Sequence, residues 1–209
     1  MRLDLYHQGT YCPRANIARQ VTWYFFGHLL VSSRWIPWSS VKVWTLRVFG
    51  ASIGTKVRIK PGLKVKFPWL LSVGDYSWLG ENAWIDNLDS VRIGSHCCIS
   101  QSAYLCTGDH SWAKESFDLI TAPITLEDHS WVAAHSIVAP GTTLKEGAVL
   151  ALGSVAKGTL NAWTIYQGNP AKAVRERPYT KPNTRTGPCR YTPTVDDGEM
   201  DLQDAGGTI

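Results

Sequence analysis

Among the six histidines of this 209-residue chain, His110 has the surroundings best suited to proton transfer. It closes the tetrapeptide Thr107-Gly108-Asp109-His110 and precedes about a dozen residues that break the pattern of the chain. An imidazole titrating near neutral pH can take a proton from a weakly acidic hydroxyl as that oxygen attacks a carbonyl, and can then return it to the leaving group. The other candidates suit other work. Asp86 and Asn87, with Asn82 one hexapeptide earlier, are polar groups able to bond to hydroxyls, and Trp78 and Trp84, one repeat apart, read as lying on the same face. His129 and His135 stand six residues apart in ordinary repeat register, and like His96 they read as corner or outer-face residues. Cys97 and Cys98 are adjacent and point to opposite sides of a strand, a poor metal pair, so no metal is expected.

The elements that must position these groups follow from a repeat. An aliphatic residue recurs every six positions, first as Ile53, Ile59, Val65, then after two-residue slips as Val73, Leu79, Ile85 and Ile93, Ile99, Leu105. A second block runs Leu126, Val132, Val138, Leu144 and Leu150 without a break. Four places after these residues stand mostly small ones, including Ser77, Ala83, Cys97, Ser130 and Ser154, which suggest tight corners. A period of six fits neither the 3.6 of a helix nor a long strand. It fits short strands joined by turns, three sides to a coil, winding an all-β solenoid whose coils pair in parallel. The register counts about four to five coils. The excursion at 107–125 separates the two blocks, and loops on a rigid scaffold are where reacting groups are displayed.

Flanking segments read differently. Residues 1–50 form a helical, aromatic cap with an amphipathic helix over Asn16–Val31 and a second apolar segment over Val41–Phe49. The solenoid spans 51–166, residues 167–179 read as a turn or helix, and 180–209, rich in Thr, Pro, Gly and Asp, read as a disordered tail. No stretch reaches the roughly 20 apolar residues of a spanning helix. A net charge of +4 with Lys and Arg spread along the chain gives no nucleic-acid footprint. The five cysteines, odd in number and without a CxxC pair or a signal peptide ahead of them, read as reduced thiols of a cytoplasmic protein.

Over roughly residues 46 to 178 the solenoid, the Thr-Gly-x-His tetrapeptide at its interruption and the ending Gly168-Asn169-Pro170-Ala171-Lys172-Ala173-Val174-Arg175 resemble the hexapeptide-repeat acyltransferases. The run Ile99–Gly108 and the aromatic N-terminal extension look most like the colanic-acid and exopolysaccharide O-acetyltransferase branch, beside the galactoside and maltose acetyltransferases. The resemblance implies a left-handed parallel β-helix and a homotrimer with active sites between subunits. It implies acetyl-CoA as co-substrate and His110 as general base, with direct attack by a sugar hydroxyl and no covalent enzyme intermediate. Acceptor binding would fall to the coil before His110. Trp131, Ala134, Leu152 and Gly153 would line the CoA groove, and Lys172 and Arg175 would meet its phosphates. The acceptor would be a polysaccharide precursor or lipid-linked saccharide at the inner face of the membrane; the aromatic content of residues 16–31 suits a helix packed against the rest of the protein, the favoured reading, or in peripheral contact with that membrane. Three other readings compete: acetylation of a free small molecule such as a sugar or antibiotic, a zinc protein like the γ-class carbonic anhydrases, and a non-catalytic scaffold. The zinc class carries two of its ligand histidines five apart, which the spacing of six here does not match.

Overall fold

A computed structural model describes residues 1–9 and 11–179. The expected tail, 180–209, and Cys189 lie outside the described residues. In the first five coils each side of the prism is a strand of two or three residues that turns the aliphatic residue of its hexapeptide inward. The first coil is β1 (Ser52–Ile53), β2 (Arg58–Ile59) and β3 (Lys64–Val65), and the second is β4 (Leu71–Val73), β5 (Trp78–Leu79) and β6 (Trp84–Asp86). The third is β7 (Val91–Ile93), β8 (Cys98–Ile99) and β9 (Tyr104–Cys106). A hairpin, β10 (Gly108–His110) and β11 (Leu119–Thr121), interrupts the winding. The fourth coil is β12 (Ile124–Leu126), β13 (Trp131–Val132) and β14 (Ile137–Val138), and the fifth β15 (Thr143–Leu144), β16 (Val149–Leu150) and β17 (Val155–Ala156). A partial sixth coil, β18 (Thr159–Leu160) and β19 (Thr164–Gly168), leads into β20 (Ala171–Glu176).

Coils stack in register, so β1-β4-β7-β12-β15-β18 form one face, β2-β5-β8-β13-β16-β19-β20 the second and β3-β6-β9-β14-β17 the third, parallel throughout except at β20. Every aliphatic residue of both registers is buried. The small residues four places later point inward as well, and their hydroxyls are satisfied there: Ser77 Oγ donates to the Gly94 carbonyl at 2.8 Å and Ser136 Oγ to that of Ala151 at 2.8 Å. Winding continues past Leu150 through Ala156, Leu160 and Tyr166, giving more coils than the four to five counted from the aliphatic register. Residues 171–176 are a strand rather than a helix. It folds back antiparallel on β19 and uses the last open edge of the second face.

The three corners are built differently, and this positions the site. Between the first and second faces, Lys56, Tyr76, His96, His129, Gly147 and Trp163 all take positive φ. Between the second and third faces Gly62, Asn82, Ser102, His135 and Gly153 do the same. Non-glycine residues adopt this conformation rarely, and here stacking helps to hold it. His96 lies between Tyr76, at 5.1 Å, and His129, at 5.1 Å, and Trp163 follows at 6.2 Å from His129. The histidines in repeat register are therefore corner residues. The corner between the third and first faces lacks such a ladder in the first three coils, and all the register slips and the hairpin occur there.

The cap is α1 (Ile17–Thr22), a π turn at Trp23–Gly27 and α2 (His28–Ser32), run together as one helix, followed by α3 (Ser39–Val48). Asn16 caps the first by accepting from Arg19 N at 2.9 Å. Helix α3 lays Lys42, Thr45 and Leu46 against the open first coil. The fully buried Lys42 ammonium donates to the carbonyls of Val31, at 2.5 Å, and Ser33, at 2.8 Å, and so closes the end of the preceding helix. Among the described residues no helix is long and apolar enough to cross a membrane.

Candidate active site

The hairpin leaves the prism at Thr107-Gly108. Thr107 is fully buried. Its hydroxyl donates to the Asp86 carbonyl at 3.2 Å and accepts from Asp89 N at 2.9 Å, which ties the root of the hairpin to the coil below. Gly108 packs against the Leu88 side chain, which a Cβ there would meet at 2.7 Å. Gly108–His110 then pairs with Leu119–Thr121. His110 Nδ1 lies 3.0 Å from the Phe117 carbonyl, and the two rings stack at 4.2 Å, 4° from parallel. A carbonyl only accepts, so this contact assigns the hydrogen to Nδ1 and leaves the lone pair on Nε2. The N-terminal segment crosses the hairpin: Arg2 N donates to the Glu115 carbonyl at 2.8 Å, Leu119 N to that of His7 at 3.4 Å, and the Tyr6 ring stands 6.0 Å from His110. Phe117 and Tyr6 are neighbours of His110 that the spacing does not mark, because hairpin register carries no hexapeptide signal.

Asp86 lies at the root of the hairpin. It pairs with Cys106, the residue before Thr107, and its carboxylate accepts from Tyr104 Oη at 2.9 Å and lies 3.1 Å from Lys66 Nζ. Burial pushes the Tyr104 phenol far up, with Cys106 and Asp86 adding to the shift, so Tyr104 stays a neutral donor. Asp86 also lines a cavity of about 610 Å³ between the cap helix and the third face, walled by Tyr24, Phe25, His28, Lys64 and Trp84.

The neighbouring candidates are placed otherwise. Asn87 is fully buried, donating to the Phe67 carbonyl at 2.7 Å and accepting from Phe67 N at 3.0 Å, so it bridges two coils instead of facing a ligand. Asn82 sits at the second corner, at the opposite end of β6 from Asp86, and accepts from Arg34 Nη2 at 3.0 Å. Trp78 and Trp84 do not share a face. They lie on β5 and β6, on adjacent sides of the prism, because one hexapeptide is one side.

The residues expected to hold the acyl donor gather in the later coils. Trp131 projects from β13, half exposed, with Nε1 donating to Ser100 Oγ at 2.9 Å. Ala134 and Gly153 occupy the second corner in successive coils, where Gly153 N already donates to the Ala134 carbonyl at 3.0 Å. Leu152 beside them is exposed, and nothing stands within 4 Å of where a Gly153 side chain would be, so the corner is open. Trp131 pairs with Val149, Val149 with Ile165 and Ile165 with Arg175. Arg175 therefore continues the Trp131 column, about 14 Å away by strand spacing. Lys172, opposite Gln167, is exposed on the same strand. Among the described residues no group of three His, Cys, Asp or Glu could hold a metal ion.

No protein-family model matches the chain. Among solved structures, a hexapeptide-repeat acetyltransferase of Vibrio cholerae complexed with acetyl coenzyme A superposes with a TM-score of 0.70 at 21% identity, over 78% of this chain and 88% of that one. A galactoside acetyltransferase in complex with coenzyme A does so with a TM-score of 0.68 at 17% identity, over 77% and 82%. At these identities the likeness establishes the fold, a hexapeptide-repeat β-helix. Sequence carries further: the Escherichia coli protein named putative colanic acid biosynthesis acetyltransferase WcaF is 40% identical over 140 residues, 67% of this chain and 77% of that protein. With that identity over that share of the relative, the chain belongs to the hexapeptide-repeat acetyltransferases, in the family of WcaF.

Proposed function

We propose that this acetyltransferase moves an acetyl group from acetyl-CoA to a hydroxyl of a polysaccharide precursor or lipid-linked saccharide, with His110 as the base. The observation that carries the reading is the Phe117 carbonyl at His110 Nδ1, which leaves Nε2 as the basic nitrogen. Nε2 takes the proton as the sugar oxygen bonds to the thioester carbon. The C–S bond then breaks, and the imidazolium returns the proton to the departing thiolate, with no covalent enzyme intermediate. Asp86, held by Tyr104 and Lys66, is the acceptor-binding carboxylate. Trp131, Ala134, Leu152 and Gly153 form the wall for the donor, and Lys172 and Arg175 face its phosphates. With Leu152 exposed and the Gly153 corner open, one solenoid supplies a single wall, which supports a homotrimer in which a neighbour supplies the other. The exposed aromatic residues of the cap support work at the inner face of the membrane, with residues 16–31 in contact with it.

The test is acceptor-dependent release of CoA, followed with a thiol reporter over a panel of free sugars, nucleotide sugars and lipid-linked saccharides, with His110→Ala alongside. Loss of several hundredfold in the variant is expected for a general base. A variant that matches the parent would make His110 a structural residue and end the mechanism. Turnover of free sugars equal to that of lipid-linked ones would move the acceptor to a free small molecule.

A further inference from the structure

The cap leaves an aromatic surface uncovered. The helix over 17–32 buries only the stripe Trp23, Gly27 and Val31, and leaves Tyr24, Phe25, Phe26 and Leu29 each at least 57% exposed. Trp44 projects from the outer side of α3, and Trp35 and Trp38 stand exposed on the connection between the helices. Charge is partitioned in the same place. From Leu5 to Gly74 the chain has ten Lys or Arg and no Asp or Glu, although the whole chain holds 21 of the first and 17 of the second. Five of these cations, Lys56, Arg58, Lys60, Lys64 and Lys66, ring the first coil and are all exposed. One coil on, the same positions hold Tyr76, Trp78, Gly80, Trp84 and Asp86, so the basic ring is confined to the coil next to the cap.

We infer that this end of the prism docks on an anionic lipid bilayer, with the exposed aromatic side chains in the interface and the first-coil cations against the headgroup phosphates. Aromatic side chains favour the boundary between headgroups and acyl chains, and cations beside them add attraction to anionic lipid. Lys66 is paired with Asp86 of the next coil, but no acid lies in the chain from Leu5 to Gly74 to offset Lys56, Arg58, Lys60 and Lys64, and that complementarity selects an anionic bilayer over a neutral protein partner. The inference deepens the proposed function and rests on it for its purpose. The coil that feeds the hairpin of His110 lies two coils beyond the basic ring, about 10 Å along the prism axis, within reach of a saccharide carried on a membrane lipid.

Co-sedimentation of the full chain with phosphatidylcholine vesicles, with and without phosphatidylglycerol, at low and high salt, tests it. The parent is expected to bind the anionic vesicles and to release in salt. Each cation at such a surface is worth about fivefold in affinity, so Lys56→Gln/Arg58→Gln/Lys60→Gln should lose roughly a hundredfold. Phe26→Ser/Leu29→Ser should detach the protein at either salt. No binding, or equal binding to both vesicle types at both salts, overturns the inference. So does a fall in oligomeric mass on Phe26→Ser/Leu29→Ser with no vesicle binding by the parent, which would assign the face to a second copy of the chain. CoA release with a soluble acceptor, measured on the same variants, separates a failure of docking from a failure of the acetyl-transfer reading.

Discussion

His110 and Phe117 lie face to face, their rings 4.2 Å apart and 4° from parallel, while the Phe117 carbonyl holds Nδ1 at 3.0 Å. The same residue thus fixes the plane of the imidazole with its ring and the tautomer with its backbone. Phe117→Ala keeps the carbonyl and removes the stack, an interaction worth about 1 kcal/mol. We expect kcat to fall about tenfold, well short of the loss in His110→Ala, with KM for acetyl-CoA unchanged. Steady-state kinetics on the two variants decide it, and equal losses would mean that the ring does more than orient.

Asp86 is held by Tyr104 and Lys66 at the foot of the hairpin. Asp86→Asn keeps its size and removes its charge. The acceptor KM is expected to rise about tenfold, as for one lost charge-assisted bond, while acetyl-CoA affinity stays put. Titration of acetyl-CoA binding by calorimetry provides the control. A variant that weakens the donor and leaves acceptor KM alone would take Asp86 out of the acceptor site.

Gly147 stands between His129 and Trp163 in the ladder of the first corner. It has φ +66°, and an added side chain would meet the Trp163 ring at 2.5 Å. Trp163 is also the platform for Arg177, whose guanidinium lies 5.6 Å from the ring centroid and bonds the carbonyls of His129 and Gly147. Gly147→Ala should therefore cost about 2 to 4 kcal/mol, combining positive φ with overpacking. Chemical denaturation measures it, and a loss below about 1 kcal/mol would show that the corner repacks freely.

What was legible in the sequence, and what was not, follows from how each feature is encoded. The inward residues from Ile53 to Leu150 can be read off because each side of the prism needs one aliphatic residue, and that demand repeats along the chain. The break before His110 is legible for the same reason, as an interruption of a strong period. The place of Asn87 is not legible, because a buried asparagine bridging two coils and a ligand-facing one look alike until the coil stack is known. Trp78 and Trp84 look alike in register but lie on adjacent faces, because a six-residue step turns a corner, whereas within a strand side chains alternate over two. The strand at 171–176 was hidden because it pairs only with the edge left free by β19, a tertiary condition without a local pattern.

Lys42 is a lysine with no exposed surface, and its pKa is lowered by burial. Its ammonium bonds the Val31 and Ser33 carbonyls, so Lys42→Met, which preserves the packing of the stem, should lower stability by about 2 kcal/mol through two unsatisfied carbonyls. Thermal unfolding of the variant reports this. An unchanged midpoint would mean that water replaces the ammonium at no cost.

His28 supplies a pH dependence. It sits in the cap helix, edge-on to Trp23 at 6.2 Å, and its pKa is held below the ordinary 6.5 by burial first and by Lys64 second, with a bond to the Val65 backbone acting the other way. Between the lowered folded value and 6.5 the unfolded chain binds a proton that the folded chain refuses. Stability from this group is therefore complete above 6.5 and declines as pH falls through the window below it. His28→Gln removes the titration and leaves the carboxylates in place, so the parent should lose more stability than the variant on acidification into that window. Denaturation midpoints at a series of pH values measure the difference. If the parent and the variant fall in parallel, His28 is protonated in the folded cap and the burial argument fails.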